Sequence, residues 1–218
     1  GADLDLDPGE VEVPFLNQFL LREQAPWREV RLALSDALSD PAWQPRLQSA
    51  LRPRAELRCD LPFHAGDFTD FYASIHHATN VGSMFRPDQP LMPNYKWVPI
   101  GYHGRSSTLV VSDTPVRRPH GQTRPGGDEE PAYRASRSLD YELELGLVVG
   151  GSQPIGTTVA AADAADRLFG VVLLNDWSAR DVQTWECQPL GPFLAKNFAT
   201  TVSPWVVTRE AFEPFREP

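Results

Sequence analysis

Proline is the residue that most constrains how this chain can fold. The sequence holds 21 prolines in 218 residues, about twice the usual share of roughly 5%, while 41% of its residues are hydrophobic. Proline interrupts helices and the interior of sheets, and the apolar content is too high for a disordered chain. The sequence therefore predicts a folded protein in which short elements are separated by many loops.

Helical periodicity is clearest at residues 26–38. The apolar residues of this segment recur at spacings of three or four, which puts them on one face of a helix. Pro26 suits the first turn, where a missing N–H costs nothing. The segment is therefore predicted to be a packing helix, with an apolar face formed by Trp27, Val30, Leu34 and Leu38.

A second helix and several strands are predicted after residue 100. Residues 160–169 are rich in alanine and end at Gly170, which favours a helix with a glycine exit. Because strands dominate after residue 100, we expect a mixed, α+β protein. One boundary is expected near residue 60, where helical and charged sequence gives way to sequence rich in aromatic residues, glycine and histidine. Apolar runs between turn-rich connections predict strands, and they lie at 108–111, 141–149, 171–174 and 203–207.

Charge and cysteine content exclude several classes of protein. Twenty Lys and Arg against 29 Asp and Glu give a net charge of -9, the wrong sign for binding nucleic acid or anionic lipid. No apolar run approaches the roughly 20 residues of a membrane span. Cys59 and Cys187 are far apart, which indicates neither a disulfide framework nor a cysteine zinc site. We expect no nucleic-acid or membrane partner, and a reducing cytoplasm fits best.

Acidic residues and leucines alternate at the predicted strand 141–149. In a strand, Glu142 and Glu144 share one face, about 6 to 7 Å apart, a spacing at which two carboxylates could hold a hard divalent cation. A half-buried strand with a solvated acidic face explains the same pattern. On either interpretation the alternating leucines are predicted to point into a core, and they are Leu143, Leu145 and Leu147.

A second acidic group follows the predicted strand at 171–174. Functional groups are often displayed at strand ends, so Asp176 could be a third cation ligand and Arg180 could bind an anion. The structural alternative is that Asp176 caps a turn or helix. Arg180 would then pair with Asp181 or Glu186.

A third cluster lies in residues 67–80. If this segment is helical, Asp70 and His77 are two turns apart on one face, and a metal-bound carboxylate and an imidazole could face one cavity. Asp67 would then cap the helix, with Asp70 completing a capping box. Histidine is the side chain best suited to take a proton from water near neutral pH. His76 is adjacent to His77 and cannot face the same site, and a lone histidine is more often structural.

Further polar residues could bind an anion. Lys196 lies in an apolar stretch bounded by glycine and proline, where it must either extend to solvent or serve an anion. Other polar residues could surround a carboxylate-bearing ligand, although such residues ordinarily lie at the surface. They are Arg86, Tyr102, Arg105 and Gln183.

Several motifs occur in order at 70–72, 77–80, 101–105, 142–144, 175–181, 189–194 and 203–205. Taken together, they resemble the fumarylacetoacetase family from about Gly66 to Val207. The resemblance implies a strand-dominated, mixed β-sandwich roll of the fumarylacetoacetase C-terminal type with peripheral helices. It also implies that residues 1–60 are a connecting helical segment, the remnant next to an SH3-like domain. Residues 61–218 would form a catalytic domain that is incomplete at its C-terminal end.

The resemblance further implies an activity and a cofactor. The reaction is metal-dependent hydrolysis of the carbon–carbon bond of 4-fumarylacetoacetate to fumarate and acetoacetate, the last step of tyrosine and phenylalanine catabolism. The implied cofactor is Ca²⁺ or Mg²⁺, and the implied assembly is a cytoplasmic homodimer. Lys196 and Thr200 would lie at a second, more peripheral cation site. The implied ligands of the main cation are Asp70, Glu142, Glu144 and Asp176.

The same resemblance assigns the remaining roles. His77 would be the general base that draws a proton from water. The substrate's carbonyl and the developing oxyanion would be bound by Arg180, Gln183 and Lys196. The substrate's carboxylate end would be held by Tyr72, Arg86 and Tyr102. Cys187 departs from the family, which usually has an aromatic hydroxyl there, so the substrate preference stays open.

Two alternatives to this activity remain. One is another enzyme of the superfamily, either an acylpyruvate or fumarylpyruvate hydrolase or a keto-acid hydratase or decarboxylase. The motifs before residue 110 favour the fumarylacetoacetase type over these. The other is a non-catalytic relative that keeps the cation-binding carboxylates but has no working base.

Overall fold

The structure consists of short strands and mostly short helices, as the proline content predicts. It is a computed structural model and describes residues 6–124, 126 and 130–217. The α-helices are α1 (Pro8–Val11), α2 (Asn17–Leu20), α3 (Gln24–Ser39), α4 (Gln44–Leu47), α5 (Ile75–Phe85), α6 (Arg180–Glu186) and α7 (Arg209–Phe212). The strands are β1 (Thr69–Phe71), β2 (Gly101–His103), β3 (Leu109–Val111), β4 (His120–Thr123), β5 (Ala132–Ala135), β6 (Leu139–Asp140), β7 (Leu143–Val149), β8 (Leu168–Asp176), β9 (Ser178–Ala179), β10 (Thr200–Val202) and β11 (Val207–Thr208). Short 3₁₀ helices lie at Pro41–Trp43, Arg54–Glu56, Ser106–Thr108, Ala164–Arg167 and Glu213–Phe215.

A mixed sheet around the long strand β8 organises the second half of the chain. On one edge β8 pairs antiparallel with β7, and on the other it pairs antiparallel with β10 and β11. Strand β3 then pairs in parallel with β10. Separate two-stranded pairs join β1 to β2, β4 to β5 and β6 to β9. The predicted strand-dominated α+β fold with peripheral helices is confirmed.

The main core lies between this sheet and the N-terminal helices. The indole N–H of Trp27 donates to the Phe19 carbonyl at 3.0 Å, and its ring meets the Phe169 ring edge-on, with centroids 5.3 Å apart. Because a buried aromatic side chain removes about 150–250 Å² from water, these contacts hold α3 against β8. The buried members of the cluster are Phe19, Leu20, Trp27, Val148, Phe169, Val172 and Val202.

The helix predicted at 26–38 is confirmed, and α3 extends slightly beyond it at both ends. Only the first half of the predicted apolar face is protected. Trp27 is buried, and Val30 packs against the same cluster. Leu34 and Leu38 are 57% and 66% exposed, because the core ends beneath the first two turns of the helix.

The helix predicted at 160–169 is wrong. This segment forms turns and the 3₁₀ helix Ala164–Arg167, and β8 begins at Leu168. Gly170 lies inside β8 and is not a helix exit. A β-carbon there would lie 2.4 Å from the Val207 carbonyl oxygen. The glycine therefore allows β11 to approach β8 closely.

Three of the four predicted strands are found with altered limits. The strands at 108–111 and 141–149 correspond to β3 and β7, and 171–174 is part of β8. The prediction at 203–207 is largely wrong, because β10 ends at Val202 and β11 begins at Val207. Ser203 still donates its backbone N–H to the Leu173 carbonyl at 2.9 Å, so the chain leaves the sheet just beyond that contact.

The leucines of β7 do not point into a core. Their exposed fractions are 74%, 55% and 64% for Leu143, Leu145 and Leu147, whereas Glu142 and Glu144 are half-buried. The alternation is confirmed, but the predicted orientation of its leucine face is wrong. The carboxylates occupy the protected side because a buried lysine and a buried arginine lie there to compensate their charge.

Asp70 lies on strand β1 and not on a helix. It is paired with Tyr102 of β2, and α5 begins only after Ser74, whose hydroxyl accepts the backbone N–H of His77 at 3.3 Å. The predicted two-turn helical relation between Asp70 and His77 is therefore wrong. Asp67 caps no helix, and its carboxylate accepts the N–H of the next residue at 2.8 Å. Pairing with β2 takes priority over local helix formation here.

None of the helices in the described parts of the chain is both long enough and apolar enough to cross a membrane.

Asp181 fastens α6 to the loop between β5 and β6. Its carboxylate accepts the Ser136 hydroxyl at 2.6 Å, the Arg137 N–H at 2.8 Å and the Val182 N–H at 3.1 Å. Burial raises the pKa of Asp181, but the hydrogen bonds from Arg137, Ser136 and Val182 outweigh it and bring that pKa below 3.8. The carboxylate therefore stabilises the fold above the unfolded pKa, and this contribution is lost as the pH falls through the lower, folded value.

Asp181→Asn is expected to lower the free energy of unfolding at neutral pH, because an amide cannot accept all three hydrogen bonds. The difference from the native protein should shrink as the pH falls from about 7 to about 3. Urea unfolding across that range measures it, with Asp163→Asn, at an exposed position, as the control. A difference that stays constant with pH would contradict the assignment.

Candidate metal centre and active site

Three carboxylates from three strands converge in the structure. Asp70 of β1, Glu144 of β7 and Asp176 at the end of β8 each offer an oxygen atom, and these atoms lie within 4.8 Å of one another. Asp70 and Asp176 are buried, and Glu144 is half-buried. Carboxylate oxygens are the ligands that Ca²⁺ and Mg²⁺ prefer, so this triad could hold such a cation.

The electrostatics of the triad fit a cation. Burial, together with the negative charges of Asp70 and Asp176, raises the pKa of Glu144 to about 7. Burial also raises the pKa of Asp176, against the opposing effect of Lys196 and Arg105. A carboxyl group that keeps its proton near neutral pH has too little positive charge around it. A hard divalent cation would supply that charge.

Lys196 lies beside the triad and is 1% exposed. Its ammonium group donates to Asp176 Oδ2 at 2.5 Å, to Ser178 Oγ at 2.9 Å and to Glu142 Oε2 at 3.0 Å. These three acceptors use all three N–H donors of the group. The alternative in which the lysine extends to solvent is therefore wrong.

The loop that carries Lys196 is held by Glu186, at the end of α6. The Glu186 carboxylate accepts the backbone N–H groups of Phe193 at 2.8 Å, Leu194 at 3.1 Å and Ala195 at 2.7 Å. Hydrogen bonds to a charged acceptor are the stronger ones, so this contact fixes the backbone immediately before the lysine. The sequence indicated Glu186 only as an ion-pair partner, because a loop seven to nine residues away leaves no periodic signal.

Arg180 and Glu142 meet at the edge of this cluster. Arg180 donates from Nε to Asp140 at 3.1 Å and pairs with Glu142 at 3.4 Å, rather than with Asp181 or Glu186. Glu142 also accepts the Ser178 hydroxyl at 2.9 Å. Three of the four carboxylates implied as ligands thus lie together in the structure. The fourth, Glu142, lies next to them and is paired with Lys196 and Arg180.

Two implied site residues have buried oxygen atoms without a hydrogen-bond partner among the described residues. They are Oγ1 of Thr200 and Oε1 of Gln183. Thr200 is paired with Asp176 across β10 and β8, and Gln183 lies on α6. Unpaired buried polar atoms are rare in native proteins and call for an explanation such as a bound ion, water or ligand.

The other implied residues lie around β1, β2 and α5. His77 is exposed on α5, and its ring meets the Tyr72 ring edge-on with centroids 5.4 Å apart. Tyr72 lines a cavity of about 250 Å³ together with Tyr95 and neighbouring residues. Burial, with the charges of nearby carboxylates, raises the pKa of Tyr102. Arg86 is exposed at the end of α5 and donates to a backbone carbonyl at 3.0 Å.

Arg105 has a position that the sequence did not indicate. It is 4% exposed and donates to both Asp70, at 3.1 Å, and Asp176, at 2.6 Å. The sequence suggested it as a ligand for a substrate carboxylate, but its acceptors are carboxylates of the protein itself.

Comparisons with known proteins identify the family of this chain. The family model for the C-terminal domain of fumarylacetoacetate (FAA) hydrolase matches residues 67–217, a range that contains every site residue above. The chain belongs to the fumarylacetoacetate hydrolase family. Within this family, it is 52% identical over 207 residues to the fumarylacetoacetase of Caenorhabditis elegans and 50% identical over 210 residues to that of Bos taurus. The matches cover 92% and 93% of this chain and 50% of each relative.

The chain thus spans about half the length of the curated relatives it matches. Among solved structures, it is similar to the fumarylacetoacetate hydrolase of Exiguobacterium antarcticum, at 22% identity and a TM-score of 0.46, over 75% of this chain and 50% of that one. The family indicated by the sequence motifs is confirmed by the family model and the relatives. The boundary predicted near residue 60 stays a prediction.

Proposed function

We propose that this chain forms the cation- and substrate-binding part of a fumarylacetoacetase. Such an enzyme hydrolyses the carbon–carbon bond of 4-fumarylacetoacetate to fumarate and acetoacetate, at the end of tyrosine and phenylalanine catabolism. The observation that carries the proposal is the buried triad of Asp70, Glu144 and Asp176 next to Lys196, in a chain about half identical to fumarylacetoacetases.

The proposed cofactor is Ca²⁺ or Mg²⁺, with Asp70, Glu142, Glu144 and Asp176 as ligands. The triad supports three of these, and the family resemblance implies the fourth, Glu142, which lies beside them on the lysine that also binds Asp176. When bound, the cation would withdraw electron density from the attacked carbonyl and stabilise the charge that develops as the carbon–carbon bond breaks. Oγ1 of Thr200 is buried and has no hydrogen-bond partner in the described parts of the chain, which supports a second cation site near Lys196.

His77 is proposed as the general base. Its imidazole would take the proton from the attacking water, which is the nucleophile, so no serine or cysteine is needed. The edge-on contact with the Tyr72 ring would help to orient the imidazole. Substrate carboxylates would be held by Tyr72 itself, Arg86 and Tyr102.

The oxyanion is proposed to be bound by Arg180, Gln183 and Lys196. Arg180 is half-exposed, and Gln183 would bind the oxyanion through its amide N–H groups, since its amide oxygen can only accept. Lys196 has all three donors engaged, so it would bind the oxyanion only by releasing one acceptor. Ser178 is the neutral one of the three, and releasing it would keep both carboxylate contacts.

Metal removal tests the proposed activity. Loss of the diketone absorbance of fumarylacetoacetate is followed with the complete protein, first after chelation and then after adding Ca²⁺ or Mg²⁺. Cleavage is expected to disappear with the chelator and to return with the cation. No cleavage by protein with bound cation would contradict the assigned substrate and would favour a related keto acid, with Cys187 as the first residue to examine.

Glu144→Gln is expected to weaken cation binding more than Glu142→Gln, because Glu144 belongs to the triad and Glu142 is bound to Lys196. Isothermal titration calorimetry with Ca²⁺ and with Mg²⁺ compares the two variants. Glu130→Gln, at an exposed position, serves as the control. Equal affinities for the native protein and Glu144→Gln would mean that Glu144 does not bind the cation and that the acidic face of the strand is only solvated.

We also propose that the complete enzyme is a cytoplasmic homodimer, in which residues 1–60 connect to an SH3-like domain and residues 61–218 form the catalytic part. The basis is the family resemblance, together with Cys59 and Cys187, which are both free thiols and fit a reducing compartment. Sedimentation equilibrium of the complete protein tests the oligomeric state.

A further inference from the structure

Arg105 connects two of the carboxylates in the triad. We propose that it is a positioning residue that holds Asp70 and Asp176 at ligand spacing, both before and after a cation binds. This inference rests on the proposed cation site, and it adds a residue that the family resemblance did not assign.

The two Nη groups of Arg105 bind the two carboxylates as the two arms of a fork. Nη1 of Arg105 donates to Asp70 Oδ2 at 3.1 Å, and Nη2 donates to Asp176 Oδ1 at 2.6 Å. The planar guanidinium group has its donors at fixed relative positions, so binding both carboxylates fixes the distance between them. One oxygen of Asp70 stays outside the fork, and the second oxygen of Asp176 faces Lys196.

Strand pairing does not fix the distance between Asp70 and Asp176. Asp70 lies on β1, which pairs with β2, whereas Asp176 ends β8 in the five-stranded sheet. No ladder joins β1 to β8 among the described strands. The side chain of Arg105 is therefore a direct link between the two elements that carry these carboxylates.

Arg105 is itself held rigidly. Its guanidinium carbon lies 5.1 Å from the centre of the Phe68 ring and 5.8 Å from that of Tyr102, and Nη1 also donates to the His103 carbonyl at 3.1 Å. The chain reaches this position through Gly104, where a β-carbon would lie 1.9 Å from the Phe68 carbonyl oxygen. A group fixed in this way can position others.

The orientation of the guanidinium leaves one of its own donors unsatisfied. Nε of Arg105 is buried and has no hydrogen-bond partner among the described residues, although buried donors are normally paired. A side chain placed only to satisfy its own hydrogen bonds would not be expected to adopt this arrangement. The two Nη groups, by contrast, both donate hydrogen bonds to carboxylates of the triad.

A simpler account is that Arg105 serves only as a counter-charge. Arg105 and Lys196 are the buried cations of the described residues, and they face the carboxylates of Asp70, Glu142, Glu144 and Asp176. A divalent cation would balance the negative charge of these carboxylates that Arg105 and Lys196 leave uncompensated. The two accounts differ for a lysine at position 105, which keeps the charge but lacks the fork.

The test is cation affinity by isothermal titration calorimetry on the complete protein, with Ca²⁺ and with Mg²⁺. For a residue that orients metal ligands, Arg105→Lys and Arg105→Gln are both expected to bind about 10- to 100-fold more weakly than the native protein. The counter-charge account predicts that Arg105→Lys binds like the native protein and that Arg105→Gln binds more tightly. That result would overturn the proposal. The matched control is Arg134→Lys, whose arginine binds Thr123 in the separate β4–β5 pair.

A second measurement does not depend on the folding of the variants. A crystal structure of the native protein loaded with Ca²⁺ is expected to keep both hydrogen bonds of Arg105, and the loss of either one would overturn the proposal. Failure of the native protein to bind Ca²⁺ or Mg²⁺ would instead overturn the proposed cation site. The two failures are therefore distinguishable.

Discussion

Lys196→Met is expected to destabilise the cation-free protein by about 3 to 5 kcal/mol, because it removes one partner of a buried ion pair. Asp176 is fully buried, and its Oδ2 atom would lose the ammonium group that binds it at 2.5 Å. Glu142 would lose the same partner but is 26% exposed, so water can compensate part of its charge. Because Arg105 still binds Asp176 Oδ1, we expect the lower part of this range.

Urea unfolding in the presence of a chelator measures this loss. The matched control is Lys96→Met, at an exposed position, where a change within about 0.5 kcal/mol is expected. Adding Ca²⁺ should restore part of the stability of Lys196→Met, since a bound cation supplies positive charge to the same carboxylate. Equal stabilities of the two lysine variants would mean that the buried ion pair contributes nothing measurable.

The sequence predicted those parts of the site that local periodicity determines. The alternation at Glu142 and Glu144 requires only that the segment be a strand, and the placement of Asp176 at a strand end requires only that the apolar run stop before it. Both features are found in the structure. The order of the motifs indicated the family, which the matching relatives confirm.

The sequence could not predict which side of β7 is protected. Period-two alternation assigns residues to two faces but does not say what lies against each one. Apolarity alone predicts that the leucine face is the buried one. In the structure, Lys196 and Arg105 lie buried on the other side, and their charges draw the carboxylates there.

Contacts between residues far apart in sequence explain the wrong prediction at Asp70 and the role of Arg105 that the sequence did not indicate. Asp67 and Asp70 resemble a capping box, which predicts a helix at Asp70. The strand that overrides this pattern is β2, which pairs Asp70 with Tyr102. Arg105 and Asp176 are 71 residues apart in sequence. A contact between single side chains at such a separation leaves no periodic pattern, so the link between them could be found only in the structure.

His77→Ala is expected to lower kcat for fumarylacetoacetate hydrolysis by about 10²- to 10⁴-fold, the usual contribution of a general base. The affinity for Ca²⁺ should not change, because His77 lies on α5 and the triad lies on β1, β7 and β8. Steady-state assays and calorimetry on the complete protein give the two quantities separately. A loss of both together would indicate a structural role for the residue.

The matched control is His76→Ala. The two histidines have the same chemistry and are both exposed on α5, but consecutive helical residues point about 100° apart. The ring of His77 contacts the Tyr72 ring, beside the cavity that Tyr72 lines. We therefore expect His76→Ala to retain near-native kcat. Equal losses in the two variants, or full activity in His77→Ala, would mean that the base is another residue.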